Sequence, residues 1–265
     1  MHGADLALAL TLADAAREPA LAFFRSPELA SEDKAGAGSS FDPVTAADRA
    51  VEDAIRAIVR AERPDDAIRG EEEADETGTS GRTWVIDPID GTRAFLAGLP
   101  TWGVLIALND GAEPVVGVMD QPFTGERYYG ISGSGGSYLH GETRRRLRTR
   151  PCAALGEAVL CSTDPGAFAT EVDREAFLGL RRDAKLTRYG TDCYAYAMLA
   201  LGQIDAVVES GLQPFDIQAM MPIVRAAGGT ITGWDGGDCQ EGGRVVATGD
   251  RRLHDALLGR LASAE

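Results

Sequence analysis

The chain has 265 residues, of which 44% are hydrophobic and 25% charged, an ordinary balance for a globular protein. No apolar run approaches the ~18 residues of a membrane span. Asp5 and Asp14 interrupt any N-terminal leader, so we expect neither a membrane partner nor a secretory signal. The formal net charge is −15 and Arg144–Arg146 with Arg148 is the single basic tract, which argues against nucleic acid as a partner.

The first half of the chain groups its predicted helices and strands separately. Periodicity predicts a helix over Asp5–Phe24, and the Gly- and Ser-rich stretch Ser31–Ser40 predicts a loop. Thr45 is predicted to cap a second helix, with Asp48 three residues on. Gly133–Ser137 lacks the lysine of a P-loop and is predicted to be a hairpin tip. The predicted strands are Ala67–Arg69, Thr83–Ile86, Thr101–Leu108, Pro114–Asp120 and Glu126–Gly130.

Beyond about residue 150, predicted strands and helices alternate, which is typical of an α/β lobe. The strands are Ala158–Cys161, Lys185–Arg188 and Ala206–Glu209. The helices are Asp173–Arg181, Thr191–Leu201, Asp216–Ala227 and Arg251–Ala262. We therefore predict an α/β (α+β) fold in one catalytic domain over 1–265, with an α+β lobe over about 1–150 and an α/β lobe over about 151–265.

The cysteines and histidines form no recognisable site pattern. The four cysteines contain no C-x-x-C pair and are typical of buried, reduced thiols, which favours a cytoplasmic protein. The three histidines contain no H-x-x-x-H pair, so neither a histidine nucleophile nor a zinc site is expected. Any catalysis should therefore rest on carboxylates and metal. The acidity of the chain is compatible with solubility alone or with carboxylates that hold cations.

The segment Trp84–Thr92 is the most informative part of the sequence. An apolar strand there ends in Asp87 and Asp90, three residues apart. Pro88 lies between them, and we expect the chain to turn sharply at this proline. The two carboxylates and the Ile89 carbonyl could then converge on cations. By itself, the segment is equally compatible with an Asp-Pro turn followed by an aspartate N-cap.

Two further features favour a metal site, and a third suits a phosphate bound beside it. Gly91 and Thr92 can open a helix whose free amides suit a phosphate. Glu71 follows a strand-like piece, and Asp216 precedes the apolar stretch Ile217–Ala227, although alone these are compatible with a solvated acidic loop and a plain N-cap. Oxygen ligands suit Mg²⁺ rather than zinc or copper. Two such ions roughly 3.5–4 Å apart could clamp the attacking and leaving oxygens of a phosphoryl transfer.

Several segments occur in a characteristic order across about residues 34–232. They are Asp42–Glu52, Gly70–Glu72, Trp84–Thr92, Phe215-Asp216 and Ala226–Gly229. Together they resemble the inositol monophosphatase-like superfamily of Mg²⁺-dependent, lithium-sensitive phosphatases. The resemblance implies a layered αβαβα sugar-phosphatase-type fold with the metal site between two lobes, and a homodimer. Lys34 and the 31–41 loop depart from the family's usual Lys-x-Asp opening, so no role is assigned to them.

Within the superfamily, three segments resemble the histidinol-phosphate phosphatase branch. They are Asp90–Trp102, Tyr189–Asp192 and Leu212–Asp216. Inositol phosphatases more often carry Thr-Asn after the Asp-Gly-Thr motif and a tryptophan before the last aspartate. The resemblance therefore implies L-histidinol phosphate as the small phosphate monoester. Inositol monophosphate, fructose 1,6-bisphosphate and a 3′-phosphoadenosine nucleotide remain alternatives.

The resemblance also implies a set of metal ligands. Glu71, Asp87 and the Ile89 carbonyl would hold a first Mg²⁺. Asp87, Asp90 and Asp216 would hold a second, so that Asp87 bridges the two ions. A third, weaker ion would lie near Glu71.

The same resemblance implies how water is activated and the phosphate held. Thr92, hydrogen-bonded to Asp48, would help Glu71 orient and deprotonate the attacking water. The backbone amides of Gly91 and Thr92 would bind the phosphate.

Three residues are candidates for binding the part of the substrate beyond the phosphate. Glu209 resembles the family's substrate-contacting glutamate, Asp192 opens the helix that faces it, and Arg93 follows the Asp-Gly-Thr motif. Two carboxylates near the leaving group would favour a cationic amino alcohol such as histidinol. Glu209 could equally hydrogen-bond a neutral polyol, and Asp192 is equally compatible with a simple helix-start charge.

Two other classes of protein fit the sequence less well. A haloacid-dehalogenase-type phosphatase needs D-x-D with the first aspartate as nucleophile, whereas this chain has D-x-x-D. A non-catalytic cation-binding module is disfavoured because the set of metal-site residues is complete.

Overall fold

The computed structural model describes residues 2–27, 29, 31–33 and 43–262. Lys34 and most of the 31–41 loop lie outside this range. The helices are α1 (Gly3–Phe23), α2 (Ala46–Glu62), α3 (Thr92–Leu96), α4 (Glu171–Asp183), α5 (Asp192–Ala200), α6 (Pro214–Ile217), α7 (Met220–Ala226) and α8 (Arg251–Leu261). Among the described residues, no helix combines the length and the apolar run needed to span a bilayer.

The strands form a two-stranded pair and two larger sheets. The pair is β1 (Ser31–Asp33) and β2 (Pro43–Thr45). The seven-stranded sheet contains β3 (Ala67–Gly70), β4 (Thr83–Asp90), β5 (Gly103–Asn109), β6 (Pro114–Gln121), β7 (Glu126–Ile131), β8 (Gly135–His140) and β9 (Thr143–Arg146). The five-stranded sheet contains β10 (Val159–Cys161), β11 (Leu186–Arg188), β12 (Ala206–Leu212), β13 (Thr230–Gly233) and β14 (Gly243–Thr248).

The two large sheets differ in topology. The seven strands lie in chain order, with β3 parallel to β4 and every later neighbour antiparallel. The five strands lie in the order β11-β10-β12-β14-β13, parallel among the first three and antiparallel thereafter. In the five-stranded sheet, the crossover connections that parallel strands require are provided by α4 and α5.

Three apolar clusters arrange these elements in five layers. Helices α1 and α2 pack on one face of the seven-stranded sheet, for example against Ile86. Helices α5 and α7 fill the space between the sheets, where Val85 of one sheet and Val207 of the other point inward. Helices α4 and α8 cover the outer face, where Val208 points. Neighbouring strand residues thus face opposite layers, and the predicted αβαβα fold is confirmed.

Glycine allows the middle layer to approach the seven-stranded sheet closely. Helix α7 lies against β6 and β7. A Cβ atom on Gly117 of β6 would lie 2.9 Å from the carbonyl carbon of Ala219 and 2.7 Å from Cγ of Pro222. Because these distances are shorter than van der Waals contact, a larger residue here would push the helix layer away from the sheet.

Most predicted elements are present, but some predictions were wrong. Ser31–Asp33, predicted as loop, is strand β1, and the helix predicted over Asp216–Ala227 is split into α6 and α7. The sharp turn expected at Pro88 is absent, because β4 continues through it to Asp90. Strands β8, β9, β13 and β14 lacked a sequence signal that we recognised. The four cysteines are buried and free, as predicted.

The Thr45 cap of α2 is confirmed. The Thr45 hydroxyl accepts hydrogen bonds from the amides of Ala47 and Asp48, and the Asp48 carboxylate accepts one from the Thr45 amide at 2.8 Å. This reciprocal pair satisfies amides that a helix start leaves without partners. Asp48 is consequently held, fully buried, at the N-terminus of α2.

His254 of α8 gives the fold a testable pH dependence. Its ring is fully buried between the hydroxyls of Thr232 and Thr248, and burial lowers its pKa to about 4. The unfolded chain binds a proton here near pH 6.5, so the folded state loses stability as pH falls below that value. Between pH 7.5 and 5 we expect a loss on the order of 2 kcal/mol from this group, measured by urea unfolding.

The control for this prediction is His254→Gln, which removes the titrating ring. Its free energy of unfolding should change less between pH 7.5 and 5 than that of the wild type. Equal changes in the two proteins would show that His254 does not contribute to the acid sensitivity.

Candidate metal centre and active site

A β-bulge at the end of β4 brings two aspartates to the same side of the strand. Residues three apart normally point to opposite faces, because side chains alternate along a strand. Here Asp87 pairs with Leu105 and Asp90 with Gly103, so three steps on β4 oppose two on β5. The extra residue restores the common direction. Carboxylate convergence was predicted correctly, but its cause is the bulge and not a turn.

Three carboxylates meet beside this bulge. Among the described residues, one oxygen each of Asp87, Asp90 and Asp216 lie within 4.8 Å of one another. Asp216 reaches the group from α6, which follows β12 of the other sheet and contacts β4. Its Oδ2 accepts the Gln213 amide at 2.6 Å in a capping box, which orients the side chain. Both large sheets therefore contribute to the cluster.

Burial and mutual repulsion make this cluster electrostatically unfavourable without a counter-charge. Burial raises the pKa of Asp87 well above its usual value, and the charges of Glu71, Asp90 and Asp216 raise it further. Burial likewise raises the pKa of Asp90, with Asp192 and Asp216 adding to the effect. A divalent cation would remove both penalties. The all-oxygen donor set thus fits the metal implied by the sequence.

Glu71 is not one of the three residues whose oxygens lie within 4.8 Å of one another. It directly follows β3, the strand that runs parallel to β4, and is half-buried. After burial, its charge is the largest contribution that raises the pKa of Asp87. The Glu71 charge therefore lies near Asp87, and the sharing of a cation between the two carboxylates stays a prediction.

Near the same end of β4 lie four other predicted site residues, Asp48, Ile89, Gly91 and Thr92. The charge of Asp48 contributes to the raised pKa of Asp87, which places it near the cluster. The Thr92 hydroxyl donates to the Ile89 carbonyl at 3.1 Å. A hydroxyl has one hydrogen to donate, so donation from Thr92 to Asp48 would require the hydroxyl to rotate, and that hydrogen bond stays a prediction.

Gly91 caps the short helix α3 in the left-handed region, with φ of 84°. A Cβ atom there would lie 3.1 Å from Cβ of Asp192. Glycine is thus needed both for the backbone conformation and for the approach of Asp192. Asp192 itself has a positive φ of 42°, an uncommon conformation for a non-glycine residue.

A cavity of about 200 Å³ opens beside the carboxylate cluster. Its acidic lining residues are Asp90, Asp164, Asp192, Glu209 and Asp216. Phe168 and Tyr196 add aromatic surface to the lining. Sequence reasoning did not single out Asp164, Phe168 or Tyr196, because no local pattern places them beside β4.

Glu209 forms a fixed anionic wall of this cavity. One of its oxygens accepts from the Thr163 amide at 2.9 Å and the Thr163 hydroxyl at 2.5 Å. The other accepts from the Tyr196 hydroxyl at 2.9 Å. Burial raises the pKa of Glu209, while these donors oppose the rise. The carboxylate is therefore held in place before any substrate enters.

Asp192 lines the cavity, and Arg93 lies close to it without being one of the lining residues. Burial raises the pKa of Asp192 to about 7, with a further contribution from Glu209, while the Arg93 charge opposes it. Arg93 is half-exposed and approaches Asp164 to 4.0 Å. Asp192 and Glu209 thus line one acidic cavity, and Arg93 lies beside its lining residue Asp164. Their contact with a substrate stays a prediction.

Comparisons with known proteins agree with this geometry. The sequence profile of the Inositol monophosphatase family matches residues 5–265. The chain belongs to this family. It is thereby a phosphoric monoester hydrolase of a metal-dependent class, which confirms the resemblance and decides against the haloacid-dehalogenase alternative.

The names of related proteins mention more than one substrate. The chain is 38% identical to the bifunctional phosphatase IMPL2, chloroplastic, of Arabidopsis thaliana, over 94% of this chain and 72% of that one. It is 37% identical to a histidinol-phosphatase of Mycobacterium tuberculosis, over 97% of each. An inositol monophosphatase structure from Zymomonas mobilis superposes with a TM-score of 0.85 at 38% identity, over 98% of each chain. Sequence identity alone therefore does not establish which monoester is the substrate.

Proposed function

We propose that this protein hydrolyses L-histidinol phosphate to histidinol and inorganic phosphate at a centre of two or three Mg²⁺ ions. The observation that supports it is the acidic cavity beside the carboxylate cluster. Asp164, Asp192 and Glu209 line this cavity in addition to two of the cluster aspartates. This is more negative charge than a metal site alone would require.

The charge balance favours a substrate with a cationic organic part. A phosphate dianion can approach the cluster only if cations offset the carboxylates. Beyond those cations, Asp192 and Glu209 still face the cavity, and a buried carboxylate is stabilised by a positively charged partner. The ammonium and imidazole of histidinol could supply that partner, and the ring of Phe168 offers surface for stacking.

The proposed ligands keep the assignments implied by the resemblance. Glu71, Asp87, Ile89, Asp90 and Asp216 would hold the ions. When bound, the cations supply positive charge to the phosphoryl oxygens and make water easier to ionise.

The remaining residues act on the water and the phosphate. The Glu71 carboxylate accepts the proton of the attacking water, and Thr92 with Asp48 orients that water. The amides of Gly91 and Thr92 hold the phosphate. Asp192, Glu209 and Arg93 contact the rest of the substrate, so that the leaving alcohol is positioned away from the attacking water.

The second candidate is inositol-1-monophosphatase activity. A neutral polyol would use Asp192 and Glu209 as hydrogen-bond acceptors instead of counter-charges. The inositol monophosphatase structure from Zymomonas mobilis supports this alternative, because it is as similar in sequence as the histidinol-phosphatase relative.

Phosphate release from a panel of monoesters tests the proposal. With Mg²⁺ present, kcat/KM should be higher for L-histidinol phosphate than for inositol-1-phosphate, and both activities should disappear in excess EDTA. We also expect inhibition by Li⁺. A higher kcat/KM for inositol-1-phosphate would favour the second candidate, and full activity in EDTA would end the metal assignment. A cytoplasmic homodimer stays a prediction.

A further inference from the structure

Helix α2 carries a buried ion pair that the predicted active site does not use. Glu52 and Arg56 are four residues apart and both fully buried, and Nε of Arg56 donates to Oε1 of Glu52 at 2.7 Å. Burying two charges costs desolvation energy, and apolar residues of similar size often stabilise a fold equally well. The pair therefore calls for an explanation other than packing.

Both members of the pair bind the segment that follows β3. Glu52 accepts the amide of Glu72 at 2.9 Å and that of Glu73 at 3.1 Å. Arg56 donates to the Glu73 carbonyl at 3.0 Å and to the Ala74 carbonyl at 3.3 Å. Four backbone groups of one short segment are thus bound by two side chains of α2.

The ends of this segment are held as well. Glu76 forms a β-bridge with Ile68 of β3, and its carboxylate accepts from Arg56 at 2.7 Å. At the other end, a Cβ atom on Gly70 would lie 2.6 Å from Cδ of Glu52 and 2.7 Å from Nη2 of Arg56. The backbone of Gly70 therefore packs directly against the ion pair.

Glu71 lies between these two points of attachment. Its preceding residue, Gly70, packs on the pair, and its following residue, Glu72, donates its amide to Glu52. The Glu52 charge is offset by Arg56, so the pair fixes this backbone without adding net negative charge beside Asp87. Such an arrangement can support a metal-binding residue, because a protein side chain binds a metal ion best when its backbone is already held in place.

We propose that Glu52 and Arg56 are positioning residues that fix the backbone on both sides of Glu71 and so prepare its carboxylate for Mg²⁺. The inference rests on the proposed metal role of Glu71 and is independent of which monoester is the substrate. The pair touches no substrate atom and acts through Glu71.

The test removes both charges together, in Glu52→Leu/Arg56→Met, so that neither is left buried alone. Mg²⁺ affinity is measured by calorimetry without substrate, where we expect a loss of about tenfold. The hydrogen-exchange rates of the Glu72 and Glu73 amides should rise by at least the same factor of about ten. The urea midpoint should fall only modestly, because apolar side chains of similar volume replace the pair and water can solvate the exposed backbone at Glu73 and Ala74.

Two comparison variants make the result specific. Arg127→Met breaks another buried ion pair, in which Nε of Arg127 donates to Asp120 at 2.6 Å and a second nitrogen reaches Asp14 of α1. It should lower the urea midpoint and leave Mg²⁺ affinity unchanged. Glu71→Gln should lower Mg²⁺ affinity, and adding the α2 double substitution to it should lower the affinity no further.

Three results would overturn the inference. The double variant could bind Mg²⁺ as tightly as the wild type while the two amides exchange faster. Its loss of affinity could add in full to that of Glu71→Gln. Glu71→Gln itself could bind Mg²⁺ normally, which would remove the metal role on which the inference rests. If the double variant does not fold, Glu52→Gln replaces it. Glutamine keeps one acceptor oxygen for the segment, so the loss of Mg²⁺ affinity should then be intermediate.

Discussion

Asp87→Asn is expected to lower kcat by roughly 10³-fold or more, on the order of 4 kcal/mol at ~1.4 kcal/mol per decade. Asp87 is 1% exposed, and one of its oxygens lies within 4.8 Å of an oxygen of Asp90 and of Asp216. Asparagine keeps the shape but removes the charge, so a bridging ligand would lose its hold on both ions. Steady-state phosphate release at saturating substrate measures the effect.

The same substitution should leave the metal-free protein equally or more stable. Burial and like charges raise the pKa of Asp87, so its ionised form destabilises the fold above the unfolded pKa of about 4. Removing the charge removes that penalty, and the melting temperature in EDTA at pH 7 should stay level or rise. Glu209→Gln is the comparison variant and should lose less kcat. A near-normal kcat for Asp87→Asn would show that the site is wrongly assigned.

Asp192→Asn is expected to lower kcat/KM for L-histidinol phosphate by about ten- to a hundredfold. A buried charge-assisted contact contributes roughly 1.5–3 kcal/mol, and Asp192 lines the acidic cavity together with Glu209. Inositol-1-phosphate has no cation to pair with this carboxylate, so its kcat/KM should fall less. The measurement is kcat/KM of both substrates on the wild type and the variant.

Asp164→Asn is a matched control for Asp192→Asn, because Asp164 lines the same cavity but is half-exposed and lies beside Arg93. We expect a smaller loss from it, since solvent screens an exposed charge. If kcat/KM falls equally for both substrates in Asp192→Asn, the residue maintains the loop conformation and does not distinguish the substrates.

Sequence reasoning found the cluster residues but misjudged how they converge. Aspartates three apart after an apolar strand indicate metal chemistry because carboxylates are suitable ligands wherever they can meet. Pro88 suggested a turn, since proline usually ends regular structure. In the folded protein β5 continues to pair with β4 beyond Pro88, and a bulge absorbs the extra residue. The register between two strands was not visible in either strand's own sequence.

The sequence by itself determined the family, the αβαβα class, the Thr45 cap and the identity of the cluster aspartates. The cap and the aspartates follow from local patterns and residue chemistry, which neighbouring residues largely decide. The family and the layered class follow instead from the resemblance of several segments to the inositol monophosphatase-like superfamily. Only the tertiary structure decided that Asp164 and Tyr196 line the cavity and that Glu52 and Arg56 bind the segment containing Glu71. Such contacts join residues that are distant in the chain, and they arise only when the layers pack and every buried polar group must find a partner.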